Sequence, residues 1–226
     1  MKDVLQAYRT HHVGVYMGVQ TDLSRVLNRE RFRSLNLMGD LLGSYAPTPG
    51  ALVYIDTQQL LEPWQDFYPT IFTAFDVNTH LQVGNIYLLR NTASAVDFLR
   101  LVRASFPFRV REVKTPETDL FTSPSLSASP HIFTQVATSL GIVHSLFSKN
   151  DSDPIISLTL LYGIGGMMRK KLDELEADEV LTEFVEYLSF HNNSRPLPTL
   201  KGLTPIQKLR TYPEYSGITR LEPQFQ

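Results

Sequence analysis

Asp56 lies in the middle of ALVYIDT, an apolar run whose β-branched and aromatic residues read as a strand. A carboxylate in that setting is either structural or part of a polar site. His131, His144 and His191 could meet it, although the ordinary reading of each is a satisfied or surface histidine. His11 and His12 are adjacent, so a strand would point them to opposite faces and they cannot share a metal. YGIGGMMRKK suggests a phosphate cradle but lacks both the GxGxxG and the P-loop spacing, and a helix entry is the simpler reading. Two short basic clusters, Arg29, Arg31 and Arg33 and then Arg169, Lys170 and Lys171, are candidates for nucleic-acid contact; a solvated face is the ordinary alternative for each. The acidic run Asp173 to Glu179 would repel DNA and suits an exposed helix face.

These residues need a scaffold, and the chain is long enough to supply one. Its 226 residues are 42% hydrophobic, sufficient for one large domain or two small ones. A formal net charge of -2 provides no global basic field for nucleic acid, so any DNA contact must be local. The absence of cysteine excludes disulfides, thiol catalysis and cysteine zinc sites. No apolar run reaches the ~20 residues of a membrane span, and MKDVLQAYRTHH lacks the apolar centre of a signal peptide. The expected location is cytoplasmic, with no membrane partner.

Along the chain, HHVGVYMGV reads as a short strand and TDLSRVLNRERFRSLNLMGDLL as a helix capped by Thr21 or Asp22, ahead of a turn at APTPG. ALVYIDT, PTIFTAFDV and LQVGNIYLL then form a meander. Helical spacing follows through Val96, Leu99 and Val102, and FRVREVK predicts the next strand. A second helix is expected over Pro130 to Leu140, capped by Ser129 and stopped by Gly141, followed by a strand at IVHSLF. Leu172, Leu175, Leu181, Phe184, Val185 and Leu188 mark a long amphipathic helix or helix pair. TPIQKL closes the pattern as a capped helix start. The divisions are an N-terminal extension over 1–48, a core with C-terminal helices over 49–210, and a tail over 211–226.

Strands and helices in this order are those of a ribonuclease-H-like α/β fold, a mixed central sheet with helices on both faces. Four local sequences point the same way. PGALVYIDTQQL resembles the first-strand motif of bacterial insertion-sequence integrases. The segment from TAFDVNTH through FPFRVREVKT resembles the next two strands, helix and strand of that core, LGIVHS its following strand, and HNNSRPLPTLKGLTPIQKL its C-terminal tail. The resemblance, to the catalytic cores of insertion-sequence transposases and retroviral-type integrases, covers Pro49 to Leu209.

That resemblance implies three carboxylates holding two divalent metals about 3.5–4 Å apart. The first corresponds to Asp56. The second falls in TPETDLF, where the family pattern places Pro116 at the acid position, and a shifted register would offer Glu117 or Asp119. The third falls in PIISLTLLYGIGGMMRKKL, at Leu161 or Gly166, and no Asp or Glu occurs between Asp153 and Asp173. A dication held by one assured carboxylate would keep most of its waters. The expectation is therefore a pseudo-enzyme without cofactor, save residual weak Mg²⁺ or Mn²⁺ at Asp56. It would be a macromolecular binding scaffold with a protein partner and a homodimeric state, and with at most weak DNA binding. The alternatives are a DNA-binding regulator or antagonist of transposition, and a metal-dependent nuclease with relocated carboxylates.

Overall fold

Alternation of apolar side chains sets the central strand. In β1 (Val53–Gln59), Val53 and Ile55 are buried on one face and Tyr54 on the other, and burial fades towards Gln59. The computed structural model describes residues 46–60, 66–123, 129–147 and 177–223, with Asp40, Ser44 and Pro63 besides. β1 pairs antiparallel with β2 (Thr70–Asp76), which pairs antiparallel with β3 (Gln82–Tyr87). On its other side β1 pairs parallel with β4 (Glu112–Pro116), and β4 parallel with β5 (Val143–Phe147). The order β3-β2-β1-β4-β5 places Asp56 on the middle strand of a mixed sheet.

Parallel neighbours require crossovers, and two helices provide them. Asn91 caps α1 (Thr92–Ser105) by accepting from the Ser94 N–H at 2.9 Å. Phe98, Leu99 and Val102 of α1 and Phe133 and Ala137 of α2 (Ile132–Ser139) pack on Val53, Ile55, Phe72, Ala74 and Val113. The opposite face is covered by α3 (Ala177–Asn193), whose Val180, Phe184 and Leu188 meet Leu60 and Ile71, and by Leu197 and Leu200, which join Tyr54, Phe75 and Phe147. Helices thus lie on both faces.

The C-terminal segment is pinned to the β2–β3 hairpin. Asn192 accepts from the Gln82 N–H at 2.9 Å and donates to the Gln82 carbonyl at 2.8 Å, capping one position on the outer edge of β3. Thr204 opens α4 (Pro205–Leu209) with a capping box to Gln207, as TPIQKL predicts.

Two expectations need correction. Only the EVK of FRVREVK is strand; β4 begins at Glu112, because Phe106, Phe108 and Val110 are drawn into the core as a connector whose first two rings stack at 4.9 Å. α2 is capped by His131, not Ser129: the His131 ring accepts from the Phe133 N–H at 3.3 Å, which delays the helix start to Ile132. Gly141 does stop that helix, with a φ of 70° that disfavours other residues. The expected strand at 11–19, most of the helix at 21–42 and the segment 154–172 lie outside the described residues. No helix among the described residues is long and apolar enough to cross a membrane.

Candidate functional site

The sheet register assembles the site. Tyr54 pairs with Lys114 on β4 and with Phe75 on β2, Asp56 pairs with Thr73, and Thr73 pairs with Gly84 on β3. The two-residue period therefore places Tyr54, Asp56, Gln58, Thr73, Gly84, Lys114 and Pro116 on one face. α3 covers part of it: the Phe184 ring lies so close over Gly84 that a Cβ there would come within 2.6 Å of its Cζ. Asp56 is half-buried, and its Oδ1 accepts from the Thr57 N–H at 2.8 Å.

Asp56 and Pro116 each stand two residues beyond the paired Tyr54 and Lys114. The β1–β4 ladder ends at that pair, and both residues lie on the same face just past its end. Pro116 is buried and offers no ligand. Lys114 lies on the same face, with Nζ 5.7 Å from the centre of the Tyr54 ring. The shifted-register acids lie past the end of β4. The Glu117 N–H donates to the Phe147 carbonyl at 3.1 Å and its side chain is exposed, while exposed Asp119 pairs with Arg90 at 3.2 Å. Among the described residues no three His, Cys, Asp or Glu side chains are grouped to hold a metal ion. Among the described residues, none of the side chains at or after Pro116 supplies a second carboxylate to this face.

The histidines do not join Asp56. His144 lies on the opposite face, between the hydroxyls of Thr115 at 2.9 Å and Thr134 at 2.8 Å, and burial lowers its pKa to about 4. His131 is the helix cap described above. His191 is wholly buried beside the β2–β3 turn, where its Nε2 lies 2.9 Å from the His80 carbonyl, so Nε2 carries the proton. Burial lowers its pKa to about 3. Leu161, Gly166, Arg29, Arg31, Arg33, Arg169, Lys170, Lys171, His11 and His12 lie outside the described residues.

The residues that sequence reasoning missed form the network beneath that turn. Asp76 is wholly buried and accepts from the Gly50 N–H at 2.8 Å, the Thr79 N–H at 2.8 Å and the Thr79 hydroxyl at 2.6 Å. Burial outweighs these donors and raises its pKa to about 6. Asn78 donates to the Ala46 carbonyl and accepts from Tyr212, both within 2.9 Å, and His80 meets Thr199 at 3.1 Å. The spacing of Asp and Thr in DVNTH is a turn signal, but nothing local reveals the burial. Gln58 was missed too: its amide nitrogen is buried without a hydrogen-bond partner among the described residues.

No protein-family model and no curated protein sequence matches the chain. Solved structures do match. The catalytic core domain of HTLV-2 integrase in complex with magnesium, in a dimeric form, superposes with a TM-score of 0.51 at 15% identity, over 73% of this chain and 99% of that one. The fold is that of an integrase catalytic core. The catalytic core of BIV integrase matches with a TM-score of 0.53 at 15% identity, over 74% of this chain and 99% of that one. A chain of the simian T-cell lymphotropic virus intasome in complex with PP2A regulatory subunit B56 gamma gives 0.56 at 16% identity. That match covers 79% of this integrase-like chain and 59% of the intasome chain.

Proposed function

We propose that this chain is a catalytically inactive relative of integrases and transposases, acting as a binding scaffold for another protein and self-associating. The observation that carries the reading is the buried Pro116, two residues past Lys114 on the face that Asp56 shares, where the family pattern would put a second carboxylate. The Arg90 pairing of Asp119 supports it. Support for association comes from the similar structures: one is a complex with a protein regulatory subunit, another a dimeric form. Without a metal centre, the fold contributes surfaces, and proteins of near-neutral charge use such surfaces for other proteins more readily than for phosphate backbones.

Plasmid nicking with Mg²⁺ or Mn²⁺ tests the reading, run beside Asp56→Asn. No nicking by either protein is expected. Metal-dependent nicking that disappears in Asp56→Asn would show a rebuilt centre and overturn the proposal.

A further inference from the structure

Residues 212–223 follow α4 as a strap with a threefold pattern. Tyr212, Tyr215, Ile218 and Leu221 are part-buried, and the two residues between each of them and the next are exposed. Three residues make one turn of 3₁₀ or polyproline-II backbone, so every third side chain of such a segment faces the same way. Pro213–Tyr215 is a 3₁₀ turn. Tyr215, Ile218 and Leu221 pack on the core that contains Phe106 and Phe108, and the Tyr215 ring meets Phe108 edge-on at 6.3 Å.

The strap is held as a bound peptide is held. Among the described residues, every backbone–backbone hydrogen bond of 213–223 stays within 212–218. Side chains make the link to the rest of the fold. Asn193 of α3 donates to the Leu221 carbonyl at 2.9 Å and accepts from the Leu221 N–H at 3.0 Å, and Arg220 donates to the Ser189 hydroxyl at 3.3 Å. An amide that takes both backbone groups of one residue reads an extended chain whatever side chain that residue carries. The fit is incomplete. A cavity of about 20 Å³, room for about one water, is lined by Gly84, Ser105, Phe106, Leu188, Leu221 and Pro223. The Ser105 hydroxyl is buried without a hydrogen-bond partner among the described residues. A segment with a larger or polar group at that point would complete what the strap leaves unfilled.

We propose that the surface beneath the strap is a peptide-docking groove, and that an extended segment of a partner protein, with large apolar side chains three residues apart, takes the strap's place. Such side chains would cover Phe106 and Phe108, and Asn193 would hold the backbone. The strap is then an intramolecular competitor, present at an effective concentration on the order of millimolar. This rests on the protein-binding reading above and names the chemistry of the partner.

A labelled synthetic peptide, TYPEYSGITRLEP from Thr211 to Pro223, tests it against the full chain. Ile218→Ser with Leu221→Ser loosens the resident strap and leaves the groove intact. Fluorescence polarisation is expected to show the peptide binding this double variant at least about tenfold more tightly than wild type, where the groove is occupied. Adding Asn193→Ala should weaken that binding at least about fivefold, and the same two serines in the peptide should abolish it. Random-peptide display on the double variant, eluted with the strap peptide, is expected to enrich large apolar residues three apart. Leu221→Ser alone serves if the double variant is unstable. No binding to the loosened chain, equal binding to both chains, indifference to Asn193→Ala, or display that enriches nothing with the three-residue spacing would overturn the proposal. So would a wild-type dimer that becomes monomeric in the double variant, since the groove would then serve the strap of a second copy. A peptide failure with nicking still absent removes the groove alone, whereas metal-dependent nicking removes the non-catalytic reading.

Discussion

Asp56 and Pro116 each follow by two residues the last pair of the parallel β1–β4 ladder, Tyr54 with Lys114, and share one face of the sheet. Substituting Pro116→Asp tests this placement directly. Two adjacent carboxylates should bind Mn²⁺ more tightly than one, and their mutual repulsion should destabilise the metal-free protein. Wild type at a metal concentration near a millimolar Kd gains only ~0.4 kcal/mol, too little for a clear melting shift. The variant is expected to melt lower without metal and to recover by several degrees in about 5 mM Mn²⁺. Equal responses in both proteins would show that the two positions do not face a common site.

Duplex DNA should bind weakly. With a net charge of -2 and two short basic clusters, any affinity should fall steeply as salt rises. Filter binding or anisotropy at about 150 mM salt checks this. Sub-micromolar affinity weakened by charge reversal at Arg169, Lys170 and Lys171 would favour the DNA-binding regulator.

Asn192 should matter more than its neighbour Asn193. Both amides make two-point contacts with one residue's backbone, Asn192 with buried Gln82 and Asn193 with part-buried Leu221, and Asn193 also donates to the Ser189 carbonyl of its own helix at 3.0 Å. Asn192→Ala strands a donor and an acceptor at the edge of β3 and should cost about 2–3 kcal/mol. Water can replace more of what Asn193→Ala removes, and the loss there should be about 1 kcal/mol or less. Urea denaturation distinguishes them, and equal losses would mean that the edge of β3 is not closed by Asn192.

Gly84 should resist even a small substitution. A Cβ would fall 2.6 Å from the Phe184 ring, and α3 would have to shift on the site face of the sheet. Gly84→Ala is expected to lower stability by about 1–3 kcal/mol, with Phe184→Leu restoring part of it by making room. Additive losses in the double variant would place the strain elsewhere.

The sequence of strands and helices along the chain, and Asp56 within a strand, could be read because they rest on local signals: the apolar runs ALVYIDT and PTIFTAFDV, and the stop at Gly141. The start of β4 could not, since Phe106 and Phe108 have strand-like character and only tertiary packing turns them into a connector. Pro116 was singled out by comparison with the family pattern alone, whereas the Asp76 network joins residues 46 to 212, and no local pattern encodes a contact across that separation.

Acid should unfold the protein through its buried histidines. Burial holds His80 and His191 at about 3 and His144 at about 4, below the unfolded value of 6.5. The stability they contribute is fully present above about pH 6.5 and is lost as pH falls towards those folded values, because the unfolded chain takes up protons that the native state refuses. Asp76 acts in the opposite sense. Its folded value of about 6 lies above the unfolded 3.8, so its contribution is present below 3.8 and is lost as pH rises through 6. Near pH 5 the unfolded chain holds about three more histidine protons than the native state, and the native state about one more aspartate proton, a net of about two. Each is worth ~1.4 kcal/mol per pH unit, so the unfolding free energy should fall by roughly 3 kcal/mol per unit around that pH. Denaturant titrations at intervals across it measure the slope. His191→Gln keeps a donor for the His80 carbonyl but cannot titrate, and it should flatten the slope by about one proton. A stability that stays level or rises on acidification would show that these rings are not buried as described.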